Sequence, residues 1–172
     1  MIVIVMGVSG SGKTTVGQHL AQTMNCCFIE GDELHPEANV AKMSRGIPLS
    51  DSDRWPWLHR IRQRINNLQQ QRQSAVISCS ALKQSYREVL QADWPEVIRF
   101  VYLRVSSPTL KARLKERQNH FMKVQMLDSQ LETLEEPESA ITIDVDDSTN
   151  PHQVVTQVYH RLAQYLPSSG CQ

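Results

Sequence analysis

The sequence predicts an α/β fold, namely a five-stranded parallel sheet with helices on both faces. Two observations support this prediction. Short apolar runs alternate with amphipathic helical patterns along the chain, and a glycine-rich motif follows the first run. Successive parallel strands need long crossover connections, which helices supply. At 172 residues the chain corresponds to a single domain, 1–172. Because ligands bind such sheets at the carboxyl ends of the strands, the residues after each strand are the candidates for a site.

The strands are predicted at short apolar runs that are rich in β-branched residues. They are expected at residues 2–5, 26–30, 74–80, 97–105 and 140–146. Runs that are apolar almost throughout, without strict alternation, are typical of parallel strands covered on both faces.

Helices are predicted between the strands, where apolar residues recur every three or four positions. The first begins near Lys13, and the longest starts at Ser50 or Asp51 and runs to about residue 72. Three more helices are expected. One covers about residues 82–92, and one has Ser107 as its N-cap and Pro108 at its first helical position and runs to about residue 118. The last begins at Asn150-Pro151. Residues 33–50 are expected to be rich in loops, and residues 119–137 to form a mixed, partly helical excursion.

The first strand leads into a phosphate-binding motif, because Gly7 to Thr14 fits G-x-x-x-x-G-K-[ST] at every fixed position. Glycines let successive backbone N–H groups turn inward around an anion, and the following helix adds the positive end of its dipole. Lys13 can reach the β- and γ-phosphates, and the Thr14 hydroxyl can ligate Mg²⁺. Since the motif lies between a strand and an amphipathic helix, it predicts a nucleoside triphosphate site rather than a plain turn. The predicted nucleotide-binding residues here are Gly7, Val8, Ser9, Gly10, Ser11, Gly12, Lys13, Thr14 and Thr15.

The composition excludes several classes of partner. Eighteen basic residues balance eighteen acidic ones, so no overall field favours nucleic acid or an anionic membrane. The amino terminus does not resemble a secretory signal, and no apolar run approaches the length of a membrane span. The four cysteines lack the spacing of a zinc site. We therefore expect a cytoplasmic protein that binds neither nucleic acid nor membrane.

Charged residues follow the second and third predicted strands. Asp32 would lie across the crevice from the γ-phosphate, where it could orient or deprotonate an attacking hydroxyl, with His35 close by. The alternative is that Asp32 caps a turn and His35 is an exposed loop residue. Lys83 and Arg87 are four positions apart and share one helical face. They could clamp an anionic substrate group, or they could form an ordinary solvated face.

Arginines are found at two further positions of interest. Arg113 and Arg117 follow the fourth strand and lead into the excursion, where an arginine could close over ATP and stabilise charge on the transferred phosphoryl group. Arg54 lies in an acidic, tryptophan-rich helix start, for which a structural role is a strong explanation, since acidic residues suit the helix dipole and tryptophans bury large areas. Arg54 could instead face the crevice. The third strand lacks a Walker-B Asp-Glu pair, and an N-K-x-D segment is missing. The first absence argues against a remodelling or transport ATPase, and the second argues against a GTPase.

These pieces together resemble the gluconate kinases of the P-loop small-molecule kinases. The matching segments are MGVSGSGKTT (6–15), GDELHP (31–36), N-x-x-KM-x-x-G-x-PL-x-D-x-DR-x-PWL (39–58), CSALK-x-x-YR (79–87), YL (102–103), RL-x-x-R-x-x-HFM (113–122) and SQ-x-x-TLE-x-P (129–137). The resemblance runs in order over about residues 2–146. Many enzymes share the first segment, whereas the stretch from Asp32 to Leu58 and CSALK-x-x-YR are far more specific.

The resemblance implies a P-loop fold of the nucleoside-monophosphate-kinase type, a homodimer, and transfer of phosphate from ATP to D-gluconate to give 6-phospho-D-gluconate. It implies that Thr14 holds Mg²⁺, that residues 33–73 bind the acceptor, and that a lid, residues 118–137, closes on the phosphates with Arg117 and Arg113. The implied catalytic residues are Lys13, Asp32 and Arg117. The implied acceptor-binding residues are Asp32, His35, Lys42, Arg54, Lys83, Arg87 and His120.

Two other functions are compatible with the motifs. A related P-loop kinase could act on another small anionic acceptor, such as shikimate, a nucleoside monophosphate or adenylylsulfate. A nucleotide-binding module could instead regulate a partner without transferring phosphate. The paired lid arginines and the position of Asp32 argue against the second alternative.

Overall fold

The computed structural model describes residues 1–116 and 120–165, with all side chains in these ranges except those of 116 and 120–125. Within these ranges the strands are β1 (Ile2–Met6), β2 (Cys27–Glu30), β3 (Ala75–Ser78), β4 (Ile98–Val105) and β5 (Ile141–Val145). The helices are α1 (Lys13–Thr23), α2 (Glu37–Ser44), α3 (Asp51–Gln70), α4 (Gln84–Gln91), α5 (Ser107–Glu116), α6 (His120–Thr133) and α7 (Pro151–Leu162). Short 3₁₀ helices, Gly31–Leu34 and Ala163–Tyr165, follow β2 and α7.

The described strands form one sheet in the order β2-β3-β1-β4-β5, and all neighbours are parallel. This confirms the predicted five-stranded parallel sheet. β1 lies at its centre, where Ile2 pairs with Ala75 of β3 on one side and with Ile98 of β4 on the other. The loop that follows β1 therefore emerges at the middle of the carboxyl edge, between the ends of β3 and β4, and β2 lies beyond β3.

Each face of the sheet carries its own apolar core, because side chains alternate along β1. Ile2, Ile4 and Met6 pack with α3 and α4, whereas Val3 and Val5 pack with α1 and α7. The apolar face of α3 consists of Trp57, Leu58, Ile61, Ile65 and Leu68, all at most 1% exposed. The helices therefore cover both faces, as predicted. Among the described helices, none is long and apolar enough to cross a membrane.

Helix starts follow the predictions at two places and differ at one. The Ser50 hydroxyl accepts from the Asp53 N–H and the Asp53 carboxylate accepts from the Ser50 N–H, which forms a capping box at α3. Asn150 caps α7 in the same way. At α5 the cap is Ser106 rather than Ser107, since the Ser106 hydroxyl accepts from the Thr109 N–H and Ser107 already belongs to the helix.

The segment 33–50 is more ordered than predicted. It contains the end of the 3₁₀ helix after β2 and the whole of α2. The Pro36 carbonyl accepts from the N–H groups of Asn39 and Val40, which starts α2 immediately after the proline. This helix forms part of the wall of the site described below.

Candidate active site

The loop between β1 and α1 has the backbone of a phosphate cradle. Gly7, Gly10 and Gly12 have φ angles of 141°, 85° and 95°, which side chains with a Cβ rarely adopt. At Gly7 a Cβ would also lie 2.9 Å from Ser11 Oγ and 3.0 Å from the Leu103 carbonyl oxygen. α1 begins directly after Gly12, so the loop N–H groups and the helix N-terminus face the same space.

A cleft lies in front of this loop at the carboxyl edge of the sheet. Its walls come from the P-loop, the 3₁₀ turn after β2, the connection between α2 and α3, the start of α3, and α6. Lys13 and Asp32 line both the phosphate end and the acceptor end of this cleft. His35 and Arg54 line the acceptor end. The structure thus brings together four of the residues selected from the sequence.

Contacts at the end of β2 fix the place from which Asp32 projects. The Gly31 N–H donates to Ser78 Oγ, and Trp57 Nε1 donates to the Gly31 carbonyl at 2.7 Å. A Cβ at Gly31 would lie 2.1 Å from the Ser78 carbonyl oxygen, so only glycine allows this approach of β2 to β3. Asp32 therefore emerges from a backbone that is held by β3 and α3.

The Asp32 carboxylate is held in a partly desolvated position within the open cleft. The cleft walls raise its pKa by desolvation, the Lys13 ammonium lowers it, and the Glu30 carboxylate raises it again. Its side chain still exposes 68% of its surface, so the carboxylate is accessible from the cleft. A reachable carboxylate with a raised pKa suits a group that accepts a proton.

His35 is a buried residue of the cleft wall rather than an exposed loop residue. Its ring stacks on Trp57 with centroids 4.2 Å apart and an interplanar angle of 14°. Its Nε2 lies 4.0 Å from Asp32 Oδ1. Burial, and then the nearby Arg54 guanidinium, lower the pKa of His35 to about 4. The imidazole is therefore neutral at physiological pH.

Arg54 is a buried arginine at the acceptor end of the cleft. Only 6% of its surface is exposed. Its Nε donates to the Leu49 carbonyl at 3.3 Å, and its guanidinium carbon lies 5.8 Å from the centre of the Tyr86 ring. A guanidinium held in this way can offer its other N–H groups to an anion without losing much side-chain entropy.

The other predicted acceptor cations with described side chains contact protein groups. Lys42 Nζ lies 2.6 Å from Asp53 Oδ2, and Lys83 Nζ lies 2.7 Å from Asp51 Oδ2. Arg87 Nη1 donates to the carbonyls of Ala81 and Leu82, both at 3.0 Å. Among the described residues that line the cleft, none of these three cations appears, and their contacts join elements of the surrounding walls.

Of the two predicted lid arginines, the structure describes Arg113 and does not describe Arg117. Arg113 Nη2 donates to the Asp146 carbonyl at 2.7 Å and its Nε lies 3.4 Å from Asp147 Oδ1, so it connects α5 to the loop after β5. Arg117 lies outside the described residues, as does the side chain of His120. The excursion predicted over 119–137 is largely the helix α6.

Three contacts involve two residues, Glu30 and Gln130, that the sequence patterns did not indicate. Glu30 Oε2 accepts from the Thr14 hydroxyl at 2.7 Å, and Glu30 Oε1 accepts from the Ser78 hydroxyl. Gln130 Oε1 accepts from the Ser9 N–H at 2.6 Å, so α6 contacts the phosphate cradle directly. Glu30 could have been selected as the last residue of a strand, next to Gly31. Gln130 has no comparable local signal.

Known proteins resemble this chain over most of its length. A family model described as shikimate kinase matches residues 9–163. The gluconokinase of Gluconobacter oxydans (strain 621H) is 50% identical over 134 residues, covering 78% of this chain and 75% of that protein. The thermosensitive gluconokinase of Escherichia coli (strain K12) is 46% identical over 136 residues, covering 79% and 72%. This chain belongs to the gluconokinase family.

The likeness to the gluconokinase family extends to three dimensions. The crystal structure of a gluconokinase from Sinorhizobium meliloti 1021 has a TM-score of 0.83 at 45% sequence identity, covering 94% of this chain and 91% of that one. Membership confirms that this chain is a kinase with the P-loop fold, which uses ATP to phosphorylate a hydroxyl group of a small molecule. It also confirms the family resemblance inferred from the sequence segments.

Proposed function

We propose that this protein transfers the γ-phosphoryl group of ATP to the C6 hydroxyl of D-gluconate, giving 6-phospho-D-gluconate and ADP. The observation that carries this proposal is that Lys13 and Asp32 line one continuous cleft, with the buried Arg54 at its acceptor end. A phosphate cradle, a proton acceptor and a fixed cation then follow one another along the cleft. That order matches ATP, a primary hydroxyl and a carboxylate.

The donor half consists of the P-loop and the end of β2. The loop N–H groups and Lys13 would hold the phosphates. The Thr14 hydroxyl uses its hydrogen for Glu30, which leaves its oxygen lone pairs available to a metal ion. A hydroxyl beside a carboxylate is the type of oxygen ligand set that suits Mg²⁺. When bound, Mg²⁺ would neutralise part of the charge on the β- and γ-phosphates. Arg113 and Arg117 would belong to the lid.

The acceptor half surrounds the sugar acid. In the proposed reaction the C6 oxygen forms a bond to the γ-phosphorus as the bond from that phosphorus to the β,γ-bridging oxygen breaks, and ADP leaves. Asp32 orients the hydroxyl and takes its proton. Arg54 would bind the gluconate carboxylate, and His35 a hydroxyl. Lys42, Lys83, Arg87 and His120 remain predicted contributors, the first three through the walls that they stabilise.

A panel of acceptors tests the proposal. ADP release is measured with D-gluconate, shikimate, AMP and adenylylsulfate at equal concentration, with wild type and with Asp32→Asn. We expect rapid release with gluconate alone, and a loss of about a hundredfold or more in turnover for Asp32→Asn with ATP affinity nearly unchanged. Negligible release with gluconate beside rapid release with another acceptor would refute the assignment of substrate.

The same panel addresses the regulatory alternative. A nucleotide-binding module would bind ATP tightly, release no ADP with any acceptor, and be insensitive to Asp32→Asn.

The whole chain is proposed to act as one domain in the cytoplasm, as a homodimer. Tyr159 and Tyr165, 38% and 44% exposed on and after α7, are apolar surface available for such contact. Light scattering across a concentration series checks the dimer.

A further inference from the structure

Asn39, a residue of α2, lies buried behind the acceptor end of the cleft. Only 4% of its surface is exposed. Its side-chain nitrogen Nδ2 lies 2.8 Å from the Asp53 carbonyl oxygen and 3.2 Å from His35 Nδ1. The Asn39 amide thus connects the start of α3 with the ring that faces Asp32.

The Asp53 carbonyl fixes which way the Asn39 amide points. A carbonyl oxygen can only accept a hydrogen bond, so the amide atom facing it must be the NH₂ group. The same NH₂ group contacts His35 Nδ1 with its other hydrogen. His35 Nδ1 must therefore accept, and in a neutral imidazole the proton then lies on Nε2. One main-chain carbonyl thus determines the tautomer of His35.

Trp57 fixes the plane of the same ring. The stacking of His35 on Trp57 prevents rotation out of that plane, and Trp57 is itself held by its hydrogen bond to the Gly31 carbonyl. His35 Nε2 then faces Asp32 Oδ1 at 4.0 Å. This distance is too long for a hydrogen bond, but an oxygen atom about 2.8 Å from both atoms fits between them.

We propose that Asn39 is a positioning residue that holds His35 as a neutral Nε2–H donor, so that one acceptor hydroxyl bridges His35 and Asp32. The hydroxyl oxygen accepts from His35 Nε2–H and donates its own hydrogen to Asp32. With two of its hydrogen-bonding directions occupied, the oxygen has a remaining lone pair with a defined direction for attack on phosphorus. This rests on the proposed function only in that Asp32 receives the proton of the acceptor.

The burial of His35 also has a simpler explanation, which is that the ring only fills space against Trp57. That explanation requires the shape of the ring and is indifferent to which nitrogen carries the proton. The two explanations therefore differ in a measurable quantity, the tautomer of His35 and its effect on turnover.

The first experiment is long-range ¹H–¹⁵N NMR of histidine-labelled protein, with the His35 signals assigned by their loss in His35→Gln. We expect a protonated Nε2 and an unprotonated Nδ1 at neutral pH. Asn39→Asp replaces the donor with an acceptor and should move the proton to Nδ1. A wild-type ring protonated on Nδ1 would overturn the proposal without any assay of activity.

The second experiment measures turnover. Asn39→Asp is expected to lower kcat about tenfold or more while the KM for ATP stays within about twofold. Asn67→Asp, which adds the same charge at an exposed position of α3, is the matched control. His35→Gln, whose amide nitrogen reaches the position of Nε2, should retain more turnover than His35→Asn, whose amide nitrogen reaches only that of Nδ1.

The outcomes separate the two proposals. If the wild type does not phosphorylate gluconate, the proposed substrate is wrong, while the NMR result and the ranking of the variants on the true acceptor still test Asn39. If Asn39→Asp moves the proton and leaves kcat unchanged, the positioning role is wrong although the enzyme is a gluconate kinase. Should Asn39→Asp not fold, the wild-type tautomer and the two His35 variants decide.

Discussion

The Thr14 hydroxyl donates a 2.7 Å hydrogen bond to the Glu30 carboxylate, which joins the phosphate cradle to the last residue of β2. Glu30 also accepts from the Ser78 hydroxyl of β3. The side chain of the P-loop threonine is therefore oriented by two neighbouring strands. A carboxylate at this place sits beside the proposed metal ligand without itself belonging to the sequence motif.

Glu30→Gln is expected to raise the free Mg²⁺ concentration needed for half-maximal turnover about tenfold. The Glu30 carboxylate can only accept, so it fixes the direction of the Thr14 O–H, whereas an amide could also donate to that hydroxyl. The substitution also removes one negative charge beside the proposed Mg²⁺ position. The measurement is initial rate against free Mg²⁺ at fixed ATP. Glu33→Gln, an exposed carboxylate three residues away, is the control. An unchanged Mg²⁺ requirement in Glu30→Gln would remove Glu30 from the metal's surroundings.

Gln130→Ala is expected to tighten ATP binding about threefold to tenfold. In the present structure Gln130 Oε1 occupies the Ser9 N–H, a donor of the phosphate cradle, so ATP must displace it. Removing one such hydrogen bond corresponds to about 1 kcal/mol. Titration calorimetry with ATP measures the change, with the exposed Gln157→Ala as control. Weaker ATP binding would instead mean that Gln130 contacts the nucleotide after closure.

Arg54→Ala and Arg87→Ala are expected to separate substrate binding from stability. Arg54 faces the cleft, so its loss should raise the KM for gluconate about tenfold to a hundredfold, as expected for a hydrogen bond to a charged group. Arg87 donates to the Ala81 and Leu82 carbonyls, so its loss should lower the free energy of unfolding by about 1–3 kcal/mol. Kinetics and urea denaturation of both variants provide the test. A raised KM in a fully stable Arg87→Ala would assign Arg87 to the acceptor.

Local signals were enough to predict much of this molecule. The strands, the P-loop and the position of Asp32 follow from short patterns within a few residues of one another. The start of α5 and the helix α2 were less well predicted, because a cap can shift by one residue and a short helix after Pro36 has little periodicity. The fold class did not depend on either detail.

The contacts of the cations could not be predicted in the same way. Lys42 and Lys83 lie 11 and 32 positions from the acids that hold them, and Gln130 lies 121 positions from Ser9. Which carboxylate a lysine meets depends on how α2, α3 and α4 pack, and the sequence alone does not give that. The sequence therefore indicated a set of cations around the acceptor, whereas the structure shows that Arg54 lies in the cleft wall.

Acid is expected to destabilise the fold through His35. Burial lowers its pKa to about 4, whereas the unfolded chain retains the ordinary 6.5. Between these values the unfolded state binds a proton and the folded state does not, so the free energy of unfolding falls as the pH falls. The loss in the free energy of unfolding that is due to His35 is about 2 kcal/mol between about pH 8 and pH 5. Urea denaturation across this range should show a smaller loss in His35→Gln, and an unchanged loss in the exposed His59→Gln. Equal losses in all three proteins would contradict the shift.

Gly31→Ala and Gly17→Ala test whether the approach of β2 to β3 positions Asp32. A Cβ at Gly31 would lie 2.1 Å from the Ser78 carbonyl oxygen, and a backbone atom of β3, which is paired on both sides, cannot easily move aside. A Cβ at Gly17 would lie 2.6 Å from the Phe28 ring, which is partly exposed and can rotate. We therefore expect Gly31→Ala to lose about 2–3 kcal/mol of stability. Gly17→Ala should stay near neutral, since the gain in helix propensity offsets the shift of the ring.

The same pair distinguishes stability from positioning. Because Asp32 follows Gly31 directly, Gly31→Ala should also lower kcat at temperatures where the variant is fully folded, whereas Gly17→Ala should not. Thermal denaturation defines the folded range, and initial rates within it give kcat. A Gly31→Ala protein with wild-type stability would show that β2 can move away from β3. A destabilised variant with wild-type kcat would show that Asp32 reaches its place independently of Gly31.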